Sequence, residues 1–582
     1  MTERGSPSLD LAMLRAQLAQ QKGPRYWRSL DELAQTPSFL ALLHQEFPTF
    51  ARIAETAVDR RRVLQLMAAS LALGGLTGCQ KEVDQRELAP YVEQPAGIVP
   101  GRARYYATAT SLDGFGYGVM LRHEMGRPLK VEGNPDHPAS RGSTSAIGQA
   151  SILGLYDPHR AQSITAQGQL ASAKTLATML NERREALLAK RGAGLRLLTG
   201  AVTSPTLAEQ IAALQKSFPA MVWHRWEPLH RDAAQVGAEL AFGRAVDMVY
   251  DFARADVILG IESDALNAAP GHLRYARDFA SRRRADQAKS RMSRVYALES
   301  TPTLLGAKAD HRLVMGPQEI AAALRFIAAS VQAGPAPWKS AQAPQAQALA
   351  ALIGDLQAHR GSALLHPGRE QPAEIHALCH AINHALGGPT VRAIEPVEAM
   401  PTSHASSLAS LIADMQAGQV DTLLILGVNA AYTAPADLDF AGALKNVPHA
   451  IYLGLYDDET AALCQWHVPA AHEYESWSDV RAYDGTVTIQ QPQVKPLYGG
   501  RSAHEILAML LGTPQPNDYA LLRAHWQKAA GTANFEAFWI NALRAGVVPN
   551  STAPAAQIAP RPDYATRLPQ NAASSEPSLK LL

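Results

Sequence analysis

A chain of 582 residues with 54 Lys and Arg against 53 Asp and Glu has almost no net charge. That balance excludes the basic face of a nucleic-acid binder, and 47% apolar residues are enough for about two to four compact units. Its three cysteines, Cys79, Cys379 and Cys464, cannot supply a four-thiolate iron–sulfur cluster, and without a CxxCH motif the chain cannot attach c-type haem covalently.

In chain order, residues 1–58 form a pre-signal leader. Within it, Trp27, Leu30, Leu33, Phe39, Leu42, Leu43 and Phe47 fall at helical spacing and predict an amphipathic helix. Residues 59–79, "DRRRVLQLMAASLALGGLTGC", place Arg60-Arg61-Arg62 before an apolar run that ends in small residues, the layout of an export signal. The run of about 15 residues is shorter than the ~20 that span a bilayer. A buried helix following a basic turn is the competing reading. Arg60 and Arg61 resemble the pair of a twin-arginine signal. "LTGC" resembles a bacterial lipobox, which implies that Cys79 is acylated.

Residues 80–150 predict a small β-rich domain, with alternation and glycines between Tyr105 and Val131. "GFGYGV" within it lacks the spacing of a dinucleotide loop. Residues 151–335 predict a first α/β region. "LRLLTGAVTSPTLAEQIAAL" reads strand, loop and helix, and "ADVILGIESDAL" and "MSRVYALES" read as buried strands. An Ala/Pro/Gln-rich linker is expected at 336–355. A second α/β region with a β-rich end follows at 356–515, then a C-terminal helix and loose tail at 516–582. The fold class is therefore α/β, with two doubly wound parallel-sheet regions behind a small β-rich domain.

Two local clusters could carry chemistry. His376, His380 and His384, with Cys379 beside them, share a helical face at chelating spacing. No HExxH glutamate accompanies them, so satisfied core histidines are the simpler reading. "HEYESWSD" offers His472, Glu473, Glu475 and Asp479 as acid–base groups, but it lacks a nucleophile and reads more simply as a packed corner or subunit contact. No catalytic, metal-binding or cofactor-binding residue is assigned.

Family resemblance supplies a more specific expectation. The leader is similar to that of the Tat-variant-translocated molybdopterin oxidoreductases. "KVEGNPDHPASRGSTSAIGQ" resembles the segment leading into their cluster and pterin site. There, the family's fourth cluster cysteine and its linking lysine fall on Ser145 and Ile147, so the resemblance implies a degenerate cluster domain. "QASILGLYDPHR" (149–160), "SRVYALES" (293–300), "LGAKADHRL" (305–313), "ILGVNAAYTAPADLDF" (425–440) and "SWSDVRAYDGTVTIQQPQVKPLYGGRSAHE" (476–505) resemble the large subunit of alternative complex III. That resemblance implies a molybdopterin-oxidoreductase-like fold, split from or truncated before the ferredoxin-like part. The chain would then be a non-catalytic scaffold without cofactors in a quinol:cytochrome c oxidoreductase, lipid-anchored on the periplasmic face of the bacterial inner membrane. Expected partners are a ferredoxin-like iron–sulfur subunit, a multihaem cytochrome c and polytopic quinol-binding subunits, with clusters and haems on those partners. The alternatives are a subunit binding a pterin without a proximal cluster, and a free periplasmic lipoprotein with a degenerate fold.

Overall fold

Short runs of Leu, Ile and Val, buried along their whole length, form the parallel strands at the centre of this computed structural model. It describes residues 99, 101–268, 270–284, 292–333 and 343–568. The chain divides into the units Met1–Gly97 and Ile98–Leu582, and the described residues all fall in the second. The predicted leader helix, Arg60, Arg61 and Cys79 lie outside the described residues.

An antiparallel meander of Arg104–Leu112, Phe115–Glu124 and Arg127–Gly133 opens the unit. The helix Ala146–Leu155 packs beside it, sharing a small core of Val119, Leu121, Val131, Ile152, Leu155 and Tyr474. "GFGYGV" is the middle strand of this meander. Its glycines answer to packing: a Cβ on Gly116 would meet Val480 at 2.5 Å, and one on Gly118 would meet the His137 ring at 2.3 Å.

Two parallel sheets carry the bulk of the fold. The larger runs Gln169–Leu170, Thr165–Ala166, Trp466–Pro469, His449–Gly454, Thr422–Leu426, Leu195–Thr199 and Val222–Arg225, parallel except for the first hairpin. The smaller runs His311–Val314, Arg294–Glu299, Val257–Ile261 and Ala363–Pro367, parallel throughout. Helices cover both, as parallel strands buried on two faces require.

The sheets do not follow the predicted division at 336–355. The large sheet takes strands from 165–225 and again from 422–469, so the small sheet is an insertion between its halves. Residues 343–355 of the expected linker belong to the helix Ala343–Ala358. Leu349, Leu352 and Ile353 there are buried against Leu324 and Ile327. Alanine, the strongest helix former, made this segment look featureless in sequence.

The C-terminal region differs as well. It holds the helices Asp518–Ala529 and Phe535–Ala545, whose Trp526, Phe535 and Trp539 share a core with Val487 and Ile489. Described residues beyond them stay pinned: Ala555 bridges Ile394, and Leu568 is buried in the core of the small sheet. No helix among the described residues is long and apolar enough to cross a membrane.

Candidate functional site

In doubly wound sheets, ligands bind beyond the carboxyl ends of the strands, where the strand order reverses. The small sheet reverses between Val257–Ile261 and Ala363–Pro367, and a cleft of about 680 Å³, counting its open mouth, lies there. Tyr250, Asp264, Tyr275, His366, Arg369 and His376 are among its walls. The large sheet reverses between Leu195–Thr199 and Thr422–Leu426. Beside Ala201 is a second, shallow pocket of about 260 Å³, counting its open mouth, which shares Arg231, Pro270 and Arg369 with the first.

A diphosphate in such a crevice would need free backbone N–H groups and helix N-termini. Here internal carboxylates already hold them. Asp479 accepts from Thr206 N at 3.3 Å and Thr206 Oγ1 at 2.5 Å, and it also bonds the Ser204 hydroxyl, which caps the helix Pro205–Ser217. Asp232 accepts from His404 N at 2.9 Å, Ala405 N at 3.1 Å and Ser403 Oγ at 2.8 Å at the head of the helix His404–Gln416. Glu227 accepts from Ala201 N at 3.1 Å, Glu262 from Ser300 N at 2.9 Å, and Glu299 from Thr303 N at 3.1 Å. Asp247 accepts from Val397 N at 2.9 Å, and Asp264 from Arg369 N at 3.3 Å.

The arginines of the crevice are committed to the same acids. Arg225 bonds Glu398, Gln235 and the Thr402 carbonyl. Arg231 reaches Asp247 at 3.2 Å and Glu398 at 3.0 Å, and Arg369 reaches Asp113 at 3.4 Å. Burial alone would push the Glu398 carboxyl up. The His404 hydrogen bond and the Arg231 and Arg225 guanidiniums outweigh it and hold the group well below the carboxylate range. For Glu227 burial outweighs the Ala201 N–H bond and the charge of Arg225, and pushes it up to about 7. At these backbone N–H groups the phosphates of a pterin dinucleotide would meet carboxylates where they need donors; the Nε atoms of Arg231 and Arg369 and the Nε2 atom of His376, also in the walls, keep no partner.

Ser145, at the expected cluster-cysteine position, is the N-cap of the helix Ala146–Leu155 and accepts from Gly148 N at 3.0 Å. Ile147, at the expected lysine position, is 62% exposed in the first turn of that helix. The two therefore point to different surroundings, one into a capping bond and the other to solvent.

The histidine cluster divides in the same way. His376 and His380 are buried with ring centroids 6.3 Å apart, whereas His384 is exposed. Burial lowers His376 to about 4 and His380 to about 3, so both stay neutral. No group of three His, Cys, Asp or Glu among the described residues could hold a metal ion. Cys379 is buried and Cys464 half-buried, and both thiols are free.

"HEYESWSD" forms a corner that ties the meander to the α/β body. Glu473 accepts from Thr110 Oγ1 at 2.5 Å and Ser111 N at 2.9 Å. Glu475 forms a fully buried pair with Arg160, with bonds of 3.1 and 2.5 Å. His472 accepts from Tyr474 N at 3.2 Å, and burial lowers it to about 4. Trp477 packs on Tyr519 and Trp539, with centroids 4.8 and 6.2 Å away. All four were candidates in the sequence, but the distant partners of Glu473, Glu475 and Asp479, 363, 315 and 47 positions away, were not visible there.

No protein-family model matches the chain. A relative, the menaquinone reductase molybdopterin-binding-like subunit of Nitratidesulfovibrio vulgaris, is 26% identical over 474 residues, covering 71% of this chain and 66% of the relative. The chain thus spans just under two thirds of that relative's length. Among solved structures, acetylene hydratase from Pelobacter acetylenicus shares the fold at a TM-score of 0.51 and 12% identity, over 70% of this chain and 68% of the hydratase. The fold is molybdopterin-oxidoreductase-like.

Proposed function

We propose that this chain is a molybdopterin-oxidoreductase-like subunit of a membrane-bound, quinone-linked electron-transfer complex of the alternative complex III type. In that complex it would act as a frame that holds redox subunits and carries no cofactor of its own. The name of the relative, a menaquinone reductase subunit, supports the quinone-linked setting. The observation that carries the framework role is the set of internal carboxylates on the backbone donors of the crevice.

Its partners would be a ferredoxin-like iron–sulfur subunit, a multihaem cytochrome c and polytopic quinol-binding subunits. Holding redox centres in register is a sufficient role, because fold alone does not bring chemistry and sites do. We place the chain on the periplasmic face of the inner membrane, exported through Arg60 and Arg61 and anchored by acylated Cys79. Purification of the complex from its native membrane, with metal and pterin analysis and identification of co-purifying subunits, tests the reading. Haem and iron–sulfur subunits without stoichiometric molybdenum or tungsten are expected. Export is tested by changing Arg60 and Arg61 to Lys, which should trap the precursor, and anchoring by Cys79→Ala, which should abolish lipid labelling.

A further inference from the structure

Nitrogens without partners gather in the small-sheet cleft. Of the ten buried side-chain polar atoms that find no partner among the described residues, four line this one cleft: Arg231 Nε, Arg369 Nε, His376 Nε2 and His380 Nδ1. His376 and His380 are only 4% and 3% exposed. No wall oxygen is among the ten. The wall acids are engaged, Asp247 by Val397 N and Arg231, and Asp264 by Arg369 N. Arg369 follows the strand Ala363–Pro367, and His376 and His380 stand one turn apart on the helix Ala373–Leu386. The N-cap of that helix, Pro372, makes no side-chain bond to the backbone donors behind it, which leaves the helix end favourable to an anion.

Much of the remaining wall is apolar, with Val246, Met248, Tyr250, Pro270, Tyr275 and Pro367. A mostly apolar pocket with a few convergent donors suits an organic molecule with one polar end. That end has to accept several hydrogen bonds. A single water offers two lone pairs to four nitrogens, whereas a carboxylate offers about four. Charge sets a further condition. The walls carry Arg231 and Arg369 against Asp247 and Asp264, so an anion enters a balanced site and takes up a proton as it binds. Asp264, whose carboxyl burial pushes up, and His376 are the groups that can receive it. Across the cleft they face Asp247, Arg231, Arg369, His366, His380 and the phenols of Tyr250, Tyr275 and Tyr483. His272 stands near Asp264, and on the helix itself Glu374 pairs with Arg325.

We infer that the cleft between Val257–Ile261 and Ala363–Pro367 binds a small organic monocarboxylate, its carboxylate on Arg231 Nε, Arg369 Nε and His376 Nε2 and its apolar end against Tyr250 and Tyr275. The inference goes beyond the framework role and does not depend on it, because such an acid carries no electrons.

Calorimetric titration of the full chain with benzoate and with phosphate, at about pH 6 and about pH 8, tests it. One benzoate per chain is expected, bound more tightly at the lower pH, with no binding of phosphate. Arg369→Gln should weaken benzoate binding by at least about tenfold, because it removes a charged donor. That variant also gives up the Asp113 pair. His376→Phe, which keeps a ring in place without its nitrogens, is therefore the second variant and should also weaken binding. Arg294→Gln, at the amino end of the same sheet and outside the cleft, should leave it unchanged. Four results each overturn the inference: no benzoate binding, phosphate bound in its place, unchanged affinity in either folded cleft variant, or binding that is not tighter at the lower pH. None of them bears on whether the complex contains a pterin, which metal and pterin analysis reads separately.

Discussion

The crevice between the two parallel sheets and the outer end of the N-terminal meander are opposites in polarity and in closure. In the crevice, acids and arginines pair with one another and with backbone donors, and the Nε atoms of Arg225, Arg231 and Arg369 are the arginine donors left over. On the meander, apolar side chains such as Tyr105 and Tyr106 and basic ones such as Arg102 and Arg104 stand in solvent. Under the framework role proposed above, the crevice that a doubly wound fold usually offers to a ligand would serve as a joint, and the function would lie in surface contacts.

The sharpest challenge to the crevice as a neutral-pH joint is acid. His137, His366, His376 and His472 are lowered to about 4 and His380 to about 3, in each case chiefly by burial. A base whose folded value lies below its unfolded 6.5 contributes stability that is complete above 6.5 and is lost as pH falls from there toward 4. Glu227, raised to about 7, acts in the opposite sense, its contribution falling as pH rises from 4.5 to 7. One glutamate does not offset five histidines. Denaturant titrations across pH 4 to 7 should therefore show stability rising by several kcal/mol up to about pH 6.5. A flat profile would mean that these imidazoles are not buried.

Next in size is Glu398→Ala, which leaves Arg225 without its carboxylate and Arg231 with Asp247 alone. Breaking a buried pair from one side costs about 3–5 kcal/mol, read as a lowered urea midpoint. A loss below about 1 kcal/mol would mean that water reaches the crevice and that it is not sealed. Gly118→Ala should cost about 1–3 kcal/mol, because the new methyl meets the His137 ring. The same change would barely matter if "GFGYGV" were a solvent-facing nucleotide loop.

Ser145→Ala should cost about 1 kcal/mol by removing a helix cap. Ile147→Lys should stay within about 0.5 kcal/mol, as expected for an exposed position. A variant carrying Ser145→Cys and Ile147→Lys should gain no iron–sulfur absorption, since no other cysteine of the described residues lies on that helix or on the meander.

Much of the fold was legible in the sequence. "LRLLT", "VILGI", "RVYALE", "TLLIL" and "HAIYLG" are short buried runs bounded by turn residues, and all became parallel strands. The loop read in "LRLLTGAVTSPTLAEQIAAL" ends at Ser204, which caps the helix Pro205–Ser217. What stayed hidden was long-range. Pairing of Leu195–Thr199 with Thr422–Leu426 crosses more than 200 residues, and periodicity says nothing about which strand a sheet chooses as neighbour. The alanine-rich helix Ala343–Ala358 lacked contrast between its faces. Of the acids of the crevice only Asp479 stood out in the sequence, because the burial of the others depends on donors far away in the chain. Ser145 and Ile147 were legible as departures from a family pattern, but the capping role of Ser145 needed coordinates.

Metal and pterin analysis of the complex, isolated intact from its native membrane, tests the central claim most directly. A framework subunit with its crevice closed by its own carboxylates predicts iron in clusters and haem on co-purifying subunits, no pterin, and molybdenum and tungsten far below one atom per chain. A stoichiometric pterin with molybdenum or tungsten bound to this chain would contradict it.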